Sequence, residues 1–236
     1  MNLLHFSEEA DWIEASVAEA MEAMRAAKEE GRRPDLVLAG GVTPGPMYRA
    51  LAARDFVGQA PRLWLGDERR FPIGHSERND HLIAGIFSAS VWKPTPELRL
   101  WPDASDVDPS ATYAKGLADC LSARPGFYLA FLGIGTDGHT AGLFPGERAS
   151  MAALESDYEG LALLTIASAR PWLRMSLSGP VLASARRLVF LTKGKDKLAT
   201  LERTMGESGR DMPWRRVAAL AEGNGAEVRV FHLDSN

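Results

Sequence analysis

Cysteine is nearly absent from the chain: Cys120 is the single one among 236 residues. No intrachain disulfide can form, which fits a reducing compartment. Cys120 falls in a helical stretch, 117–121, and reads as a small buried hydrophobe rather than a nucleophile. Long hydrophobic runs are missing too. None approaches the ~20 residues needed to cross a bilayer, so no membrane span is expected. The opening residues, Met-Asn-Leu-Leu-His-Phe-Ser-Glu-Glu-Ala, lack a basic segment followed by an apolar one. No secretory leader is therefore expected, and the expected location is cytoplasmic. There is no excess of positive charge: the net charge is −4, and the 27 Lys and Arg residues are spread along the chain. Nothing points to a nucleic-acid surface or a polybasic membrane patch, and an anionic ligand would need a local basic pocket. His5, His75, His81 and His232 show no metal-ligand spacing such as His-Glu-x-x-His, so no metal is expected. They read as ordinary polar or partly packed residues, with His75 the exception to watch. Repeats and low-complexity segments are also lacking.

What is present is an ordinary globular composition, 45% hydrophobic and 25% charged, enough to bury a sizeable core. Residues 7–31 read as a helix, with Ser7 as N-cap, Gly31 as stop and a Trp12–Met24 apolar stripe for the core. Buried-type strands follow at 35–39, 62–66, 127–132 and 187–192, with shorter ones at 98–101, 161–166, 173–177 and 227–233. Between them lie helical patterns: one from Thr43 as N-cap with Pro44 at its first position, one through Leu82 to Phe87, one over 109–123, one over 180–185, and two after Gly194 and Pro213. Arg124-Pro125-Gly126 reads as a turn. Strands alternating with helices predict an α/β class with a mainly parallel sheet flanked by helices. No linker divides the chain, so one domain over 1–236 is expected.

Four strand ends carry polar chemistry, and in a parallel sheet all such ends share one edge. Gly40-Gly41-Val42-Thr43 ends the strand at 35–39, where glycines let the backbone approach a ligand and free helix N–H groups suit a phosphate. It is neither Gly-x-Gly-x-x-Gly nor a Walker loop, so neither a dinucleotide nor ATP is implied. Asp67-Glu68-Arg69 ends another strand. Asp137-Gly138-His139 ends the strongest strand, 127–132, and by itself also fits a Gly-rich turn with a surface His. Lys193-Gly194-Lys195-Asp196-Lys197 ends a fourth. Together with Arg174 on an alternating segment, these ends point to a site for a small phosphorylated molecule, with His139 placed for proton transfer.

The motifs Gly-x-Gly-x-Asp-Gly-His-Thr-Ala-x-Leu-Phe-Pro-Gly from Gly133, Asp-Glu-Arg-x-x-Pro from Asp67 and Gly-Gly-x-Thr-Pro from Gly40 resemble the 6-phosphogluconolactonase family, in motif order over nearly the whole chain. The related glucosamine-6-phosphate deaminases share the Gly-Gly-x-Thr-Pro loop. They typically follow Asp-Gly-His with Ile-Ala-Phe-Asn-Glu-Pro and carry Asp-Glu-Tyr. This chain has Thr140-Ala141-Gly142-Leu143-Phe144-Pro145 and Asp67-Glu68-Arg69, which favours the lactonase. It departs from the family at Val42, where Ser is more frequent, at Arg78 before Asn79, where Ser is frequent, and in ending Val230-Phe231-His232-Leu233-Asp234 without Trp-x-x-Asp.

The resemblance implies a modified Rossmann-like fold of the sugar-phosphate isomerase type. It also implies hydrolysis of a phosphorylated sugar lactone, without a cofactor. His139 would be the general base, with Asp137 orienting the imidazole or the substrate, and Arg69 serving the oxyanion or the phosphate. Gly40, Gly41, Thr43, Asp67, Arg174 and Lys197 would bind substrate. Lys197 is preferred over Lys195 because the family pattern is Gly-x-x-Lys. A deaminase and a non-catalytic sugar-phosphate sensor are the competing readings. The oligomeric state is left open.

Overall fold

The computed structural model describes residues 1–122 and 126–234, excepting the side chain of Asp119. In chain order the elements are β1 (Asn2–Phe6), α1 (Glu9–Glu29), β2 (Asp35–Leu38), α2 (Gly45–Ala52), β3 (Arg62–Leu65), β4 (Asp67–Arg69), α3 (Asn79–Phe87), β5 (Glu97–Arg99), α4 (Pro109–Leu121) and β6 (Phe127–Gly133). Then come α5 (Arg148–Ala152), β7 (Ala162–Ile166), β8 (Leu173–Leu177), α6 (Gly179–Leu182), β9 (Ala185–Lys193), α7 (Lys195–Met205), α8 (Pro213–Gly223) and β10 (Glu227–Leu233). The expected end of the fourth helix at Ala123, and Arg124 and Pro125 of the expected turn, lie outside the described residues.

The near-continuous apolar runs become the middle of one seven-stranded sheet, ordered β1-β10-β9-β6-β2-β3-β5, with every pairing parallel. Strands covered on both faces need no alternation, which is why β2 and β6 read as unbroken apolar stretches. The chain builds outward from β2 through β3 to β5, then returns to place β6 on the other side of β2. The order reverses there, and the crevice beyond the carboxyl ends of β2 and β6 is the place such sheets offer a ligand. The Gly40 loop follows β2 and the His139 turn follows β6.

A second, three-stranded antiparallel sheet, β4-β8-β7, lies beside the first. The alternating stretches at 161–166 and 173–177 belong to it. So does Asp67–Arg69, a strand in its own right rather than the frayed end of β3. Leu177 N–H donates to Gly66 O at 2.9 Å and ties the two sheets together at that corner.

Three further differences have local causes. β1 pairs with the edge of the sheet and is mostly exposed, so Asn2–Phe6 carries no buried pattern to read. It delays the first helix to Glu9, with Glu8 rather than Ser7 at the cap position. Thr43 is not an N-cap: α2 starts at Gly45 and Pro44 occupies the cap position. A residue preceding proline is disfavoured in the helical region, which pushes the start beyond Thr43.

One continuous cluster of buried side chains fills both faces of the large sheet, including Trp12, Trp64 and Trp214. Trp12 and Met24 of α1 belong to it, as does Cys120, whose thiol is pushed up to about 12 by burial and is unreactive as a thiolate source.

Candidate active site

The turn after β6 is built around glycines that cannot be anything else. A Cβ on Gly135 would fall 2.1 Å from His139 Nδ1 and 2.5 Å from Asp137 Oδ1. Gly138 has φ +88°, a backbone region that L side chains rarely adopt. Gly135 N–H donates to His139 O at 2.8 Å and Gly138 N–H donates to Gly135 O at 3.0 Å, closing the turn on itself. Thr140 Oγ1 donates to Gly133 O at 2.8 Å and anchors the far side.

The closed turn sets Asp137 Oδ1 2.6 Å from His139 Nδ1, and the same oxygen accepts His139 N–H at 3.1 Å. Burial alone would raise the Asp137 carboxyl, but its hydrogen bond and charge interaction with His139 outweigh burial and hold it at about 2. An ionised carboxylate only accepts, so the pairing assigns the proton to Nδ1 and leaves the lone pair of Nε2 for chemistry. The ring of His139 packs 4.9 Å from that of Phe144.

The cleft beside this turn has a volume of about 260 Å³. Every expected site residue lines it except Asp137: Gly40, Gly41, Thr43, Asp67, Arg69, His139, Arg174 and Lys197 all do. Asp137 touches the imidazole of His139 from outside the lining, and its charge also reaches Lys197. Gly41 turns the β2 loop with φ +82°, and the neighbouring Val42 is 86% exposed, away from the cleft wall.

Arg69 of β4 and Arg174 of β8 are direct cross-strand partners. Two guanidinium groups therefore stand together, each fixed by a backbone carbonyl: Arg69 Nη1 donates to Glu77 O and Arg174 Nη1 to Pro171 O. Burial raises the Asp67 carboxyl beside them, against the pull of Arg69, Arg174 and His139. Burial also lowers Arg174 from its usual value, with Asp67 opposing. Lys197 comes from the first turn of α7, and its Nζ donates to Ile134 O at 2.6 Å. Burial lowers its pKa as well. Lys195 does not line the cleft, whereas Lys193 does, its Nζ donating to Glu9 Oε1 at 2.8 Å. Four cations against Asp67 make a basic pocket in an acidic chain. Among the described residues no three His, Cys, Asp or Glu side chains gather as a metal-binding group.

The sequence did not single out Asn79, Ala141, Phe144 or Thr192, which complete the cleft wall. Phe144 and Ala141 lie inside the motif that carried the resemblance. Asn79 stands one residue past Arg78, where the chain departs from the family, and that position was the signal available for it.

A family model described as glucosamine-6-phosphate isomerases/6-phosphogluconolactonase matches residues 7–226. A 6-phosphogluconolactonase of Pseudomonas putida is 32% identical over 84% of this chain and 80% of its own length. One from Synechocystis is 31% identical over 69% and 67%. Among solved structures, a 6-phosphogluconolactonase from Shewanella baltica superposes with a TM-score of 0.87 at 20% identity, covering 99% of this chain and 97% of that one, a likeness of fold. The chain belongs to the glucosamine-6-phosphate isomerase/6-phosphogluconolactonase family.

Proposed function

We propose that the chain hydrolyses 6-phospho-D-glucono-1,5-lactone to 6-phosphogluconate, a step of the oxidative pentose phosphate pathway. Its curated relatives carry the name of that activity. The observation that carries the reading is the Asp137–His139 pair, which leaves one imidazole nitrogen free in a cleft rich in cations.

A δ-lactone needs an activated water, a held oxyanion and a proton for its leaving oxygen. His139 Nε2 takes a proton from water as the water oxygen bonds to the lactone carbonyl carbon. The carbonyl π electrons move onto oxygen, and the oxyanion is met by guanidinium charge. The tetrahedral intermediate then expels the ring oxygen, which receives the proton back from the imidazolium. Asp137 steadies that imidazolium while it exists. The Gly40–Thr43 backbone and Lys197 are assigned to the phosphate, and Arg69 and Arg174 divide their charge between phosphate and oxyanion. The chain acts as one catalytic domain. With a single cysteine and no helix among the described residues able to cross a membrane, a cytoplasmic location suits it.

Among the described residues no Glu lines the cleft, which disfavours the deaminase reading, since that relative uses a Glu for ring opening. The deciding experiment is a coupled assay with freshly generated lactone, corrected for spontaneous hydrolysis. Turnover above the spontaneous rate is expected. Ammonia release from glucosamine 6-phosphate would establish the deaminase instead, and tight binding without turnover would establish a sensor.

A further inference from the structure

Glu68 is the middle residue of β4, between Asp67 and Arg69. Alternation along the strand sends its side chain away from the cleft that its neighbours line. It is completely buried. Its Oε1 accepts the N–H groups of Arg69 and Asn79, each at 2.7 Å, and Oε2 accepts that of Asp80 at 2.9 Å. The latter two are unpaired donors of the first turn of α3, where the helix dipole also favours an anion. A single carboxylate thus joins β4 to the start of α3. Asn79 Nδ2 donates back to Asp67 O at 3.0 Å and closes the ring.

Arg78 is the other half of the arrangement. Its guanidinium is fully buried, with Nε 3.9 Å from Glu68 Oε2. It donates to Asp80 Oδ2 at 2.8 Å, to Phe71 O at 2.8 Å, to Pro102 O at 3.1 Å and to Trp101 O at 2.7 Å. Its charge lies in direct reach of two buried carboxylates, Glu68 and Asp80. A buried carboxylate surrounded by donors is stable only while it has them all.

We propose that Glu68 is a positioning residue for the reaction: its carboxylate, balanced by Arg78, fixes Asp67, Arg69 and Asn79 against the Gly40 loop. The group acts through backbone N–H donors and does not touch substrate. Burial pushes its carboxyl up to about 7, the three N–H groups pull it down, and the charge of Asp80 pushes it up. The ionisable groups around it are Arg78 and Asp80 at the start of α3, Asp67 and Arg69 on β4, Arg174 on β8 and Tyr113 on α4. Only the ionised form accepts from every donor it meets, so proton uptake there loosens one wall of the cleft. The kinetic readout rests on the lactone-hydrolysis reading; the spectroscopic one does not.

The test uses the full chain as wild type, Glu68→Gln, Glu68→Asp and, as a surface control, Glu22→Gln. The Gln amide places an NH2 against donors that Oε2 now serves. Its kcat/KM for fresh lactone should fall on the order of 10²-fold, the scale of an ångström-sized misplacement, while the protein remains folded by its thermal transition. Glu68→Asp, which keeps the charge, should recover part of the loss, and Glu22→Gln should match wild type. Wild-type kcat and KM in a folded Glu68→Gln variant would overturn the proposal, as would a loss that only tracks the unfolded fraction. Should the Gln variant not fold, the Asp variant decides by the same criterion. Independently of any turnover, the amide resonances of Arg69, Asn79 and Asp80 in wild type should shift together with pH, with one midpoint near 7. Separate midpoints in wild type, or the same three amide resonances unmoved in Glu68→Gln, would sink the clamp even in an active enzyme. Coupled shifts in a chain without lactonase activity would leave the clamp standing and remove the reading of function instead.

Discussion

The side chain of Asn79 occupies the space that a side chain at Gly40 would need: a Cβ there would fall 2.0 Å from Asn79 Cγ. The loop after β2 and the first residue of α3 therefore interlock, and two walls of the cleft meet without a gap. Gly40→Ala should displace Asn79 and lower kcat/KM by about tenfold or more, whereas Gly40→Ala combined with Asn79→Ala should lose less than the two single changes summed. A double-mutant cycle in kcat/KM should return a coupling of roughly 0.5–3 kcal/mol. Strict additivity would mean that the two residues do not share this space.

His139→Ala should lower kcat by ~10²–10⁴-fold, the usual cost of removing a general base. KM should change little, because the imidazole contributes to the transition state rather than to holding the phosphate. Asp137→Asn keeps an acceptor for Nδ1 but removes the charge that steadies the imidazolium. A smaller loss in kcat, roughly tenfold or about 1.4 kcal/mol, is expected. Lactone hydrolysis at the wild-type rate in His139→Ala would assign the base elsewhere.

Lys197→Ala should raise KM for the phosphorylated lactone and leave an unphosphorylated gluconolactone nearly unaffected. Comparing the two substrates isolates the phosphate contribution. Equal weakening of both would mean that Lys197 shapes the turn through Ile134 O rather than reading the anion.

The pH dependence of stability should carry the mark of Glu68. Its carboxyl is pushed up to about 7 in the folded chain, from an ordinary value of 4.5. Between those two values the folded chain holds a proton that the unfolded chain has released. That stabilisation is complete below about 4.5 and is lost as pH rises through 7, by about 3 kcal/mol for a shift of this size. Glu68→Gln has no such proton. The unfolding free energy of wild type relative to this variant, from denaturant melts at pH 5 to 9, should fall with rising pH and level off above 8. A flat difference would place the carboxyl near its ordinary value.

Much of this was legible in the sequence, and the exceptions share a cause. β6 and the 188–191 centre of β9 were readable because doubly covered strands are near-continuous apolar runs. The shared edge of Gly40, His139 and Lys197 followed from parallel connectivity, whereas Asp67 joins it from β4 of the antiparallel sheet, just past the end of β3. β4 was hidden because three charged residues, Asp67-Glu68-Arg69, carry no apolar period; the partner strand β8 supplies the pairing that makes them a strand. Nothing in the sequence marks Glu68 as enclosed, yet it is completely buried, since its partners are backbone N–H groups that no sequence pattern displays. Asn79 escaped for a similar reason: its role depends on the absence of a side chain at Gly40, 39 positions earlier. Asp137 could be paired with His139 by proximity, but only the closed turn shows which ring nitrogen the pairing leaves free.

The placement of β9 between β6 and β10 has a consequence for synthesis of the chain. A polypeptide leaves the ribosome N-terminus first, and the His139 turn emerges while one flank of β6 is still bare. Arg174 and then Lys197 arrive only with the following sixty residues or so, and β9 must then slot in beside a strand already paired on its other edge. Activity should therefore not accumulate gradually on growing chains. It should switch on when the last quarter of the polypeptide is released, and chains stalled before β9 should be inactive and expose the apolar flank of β6.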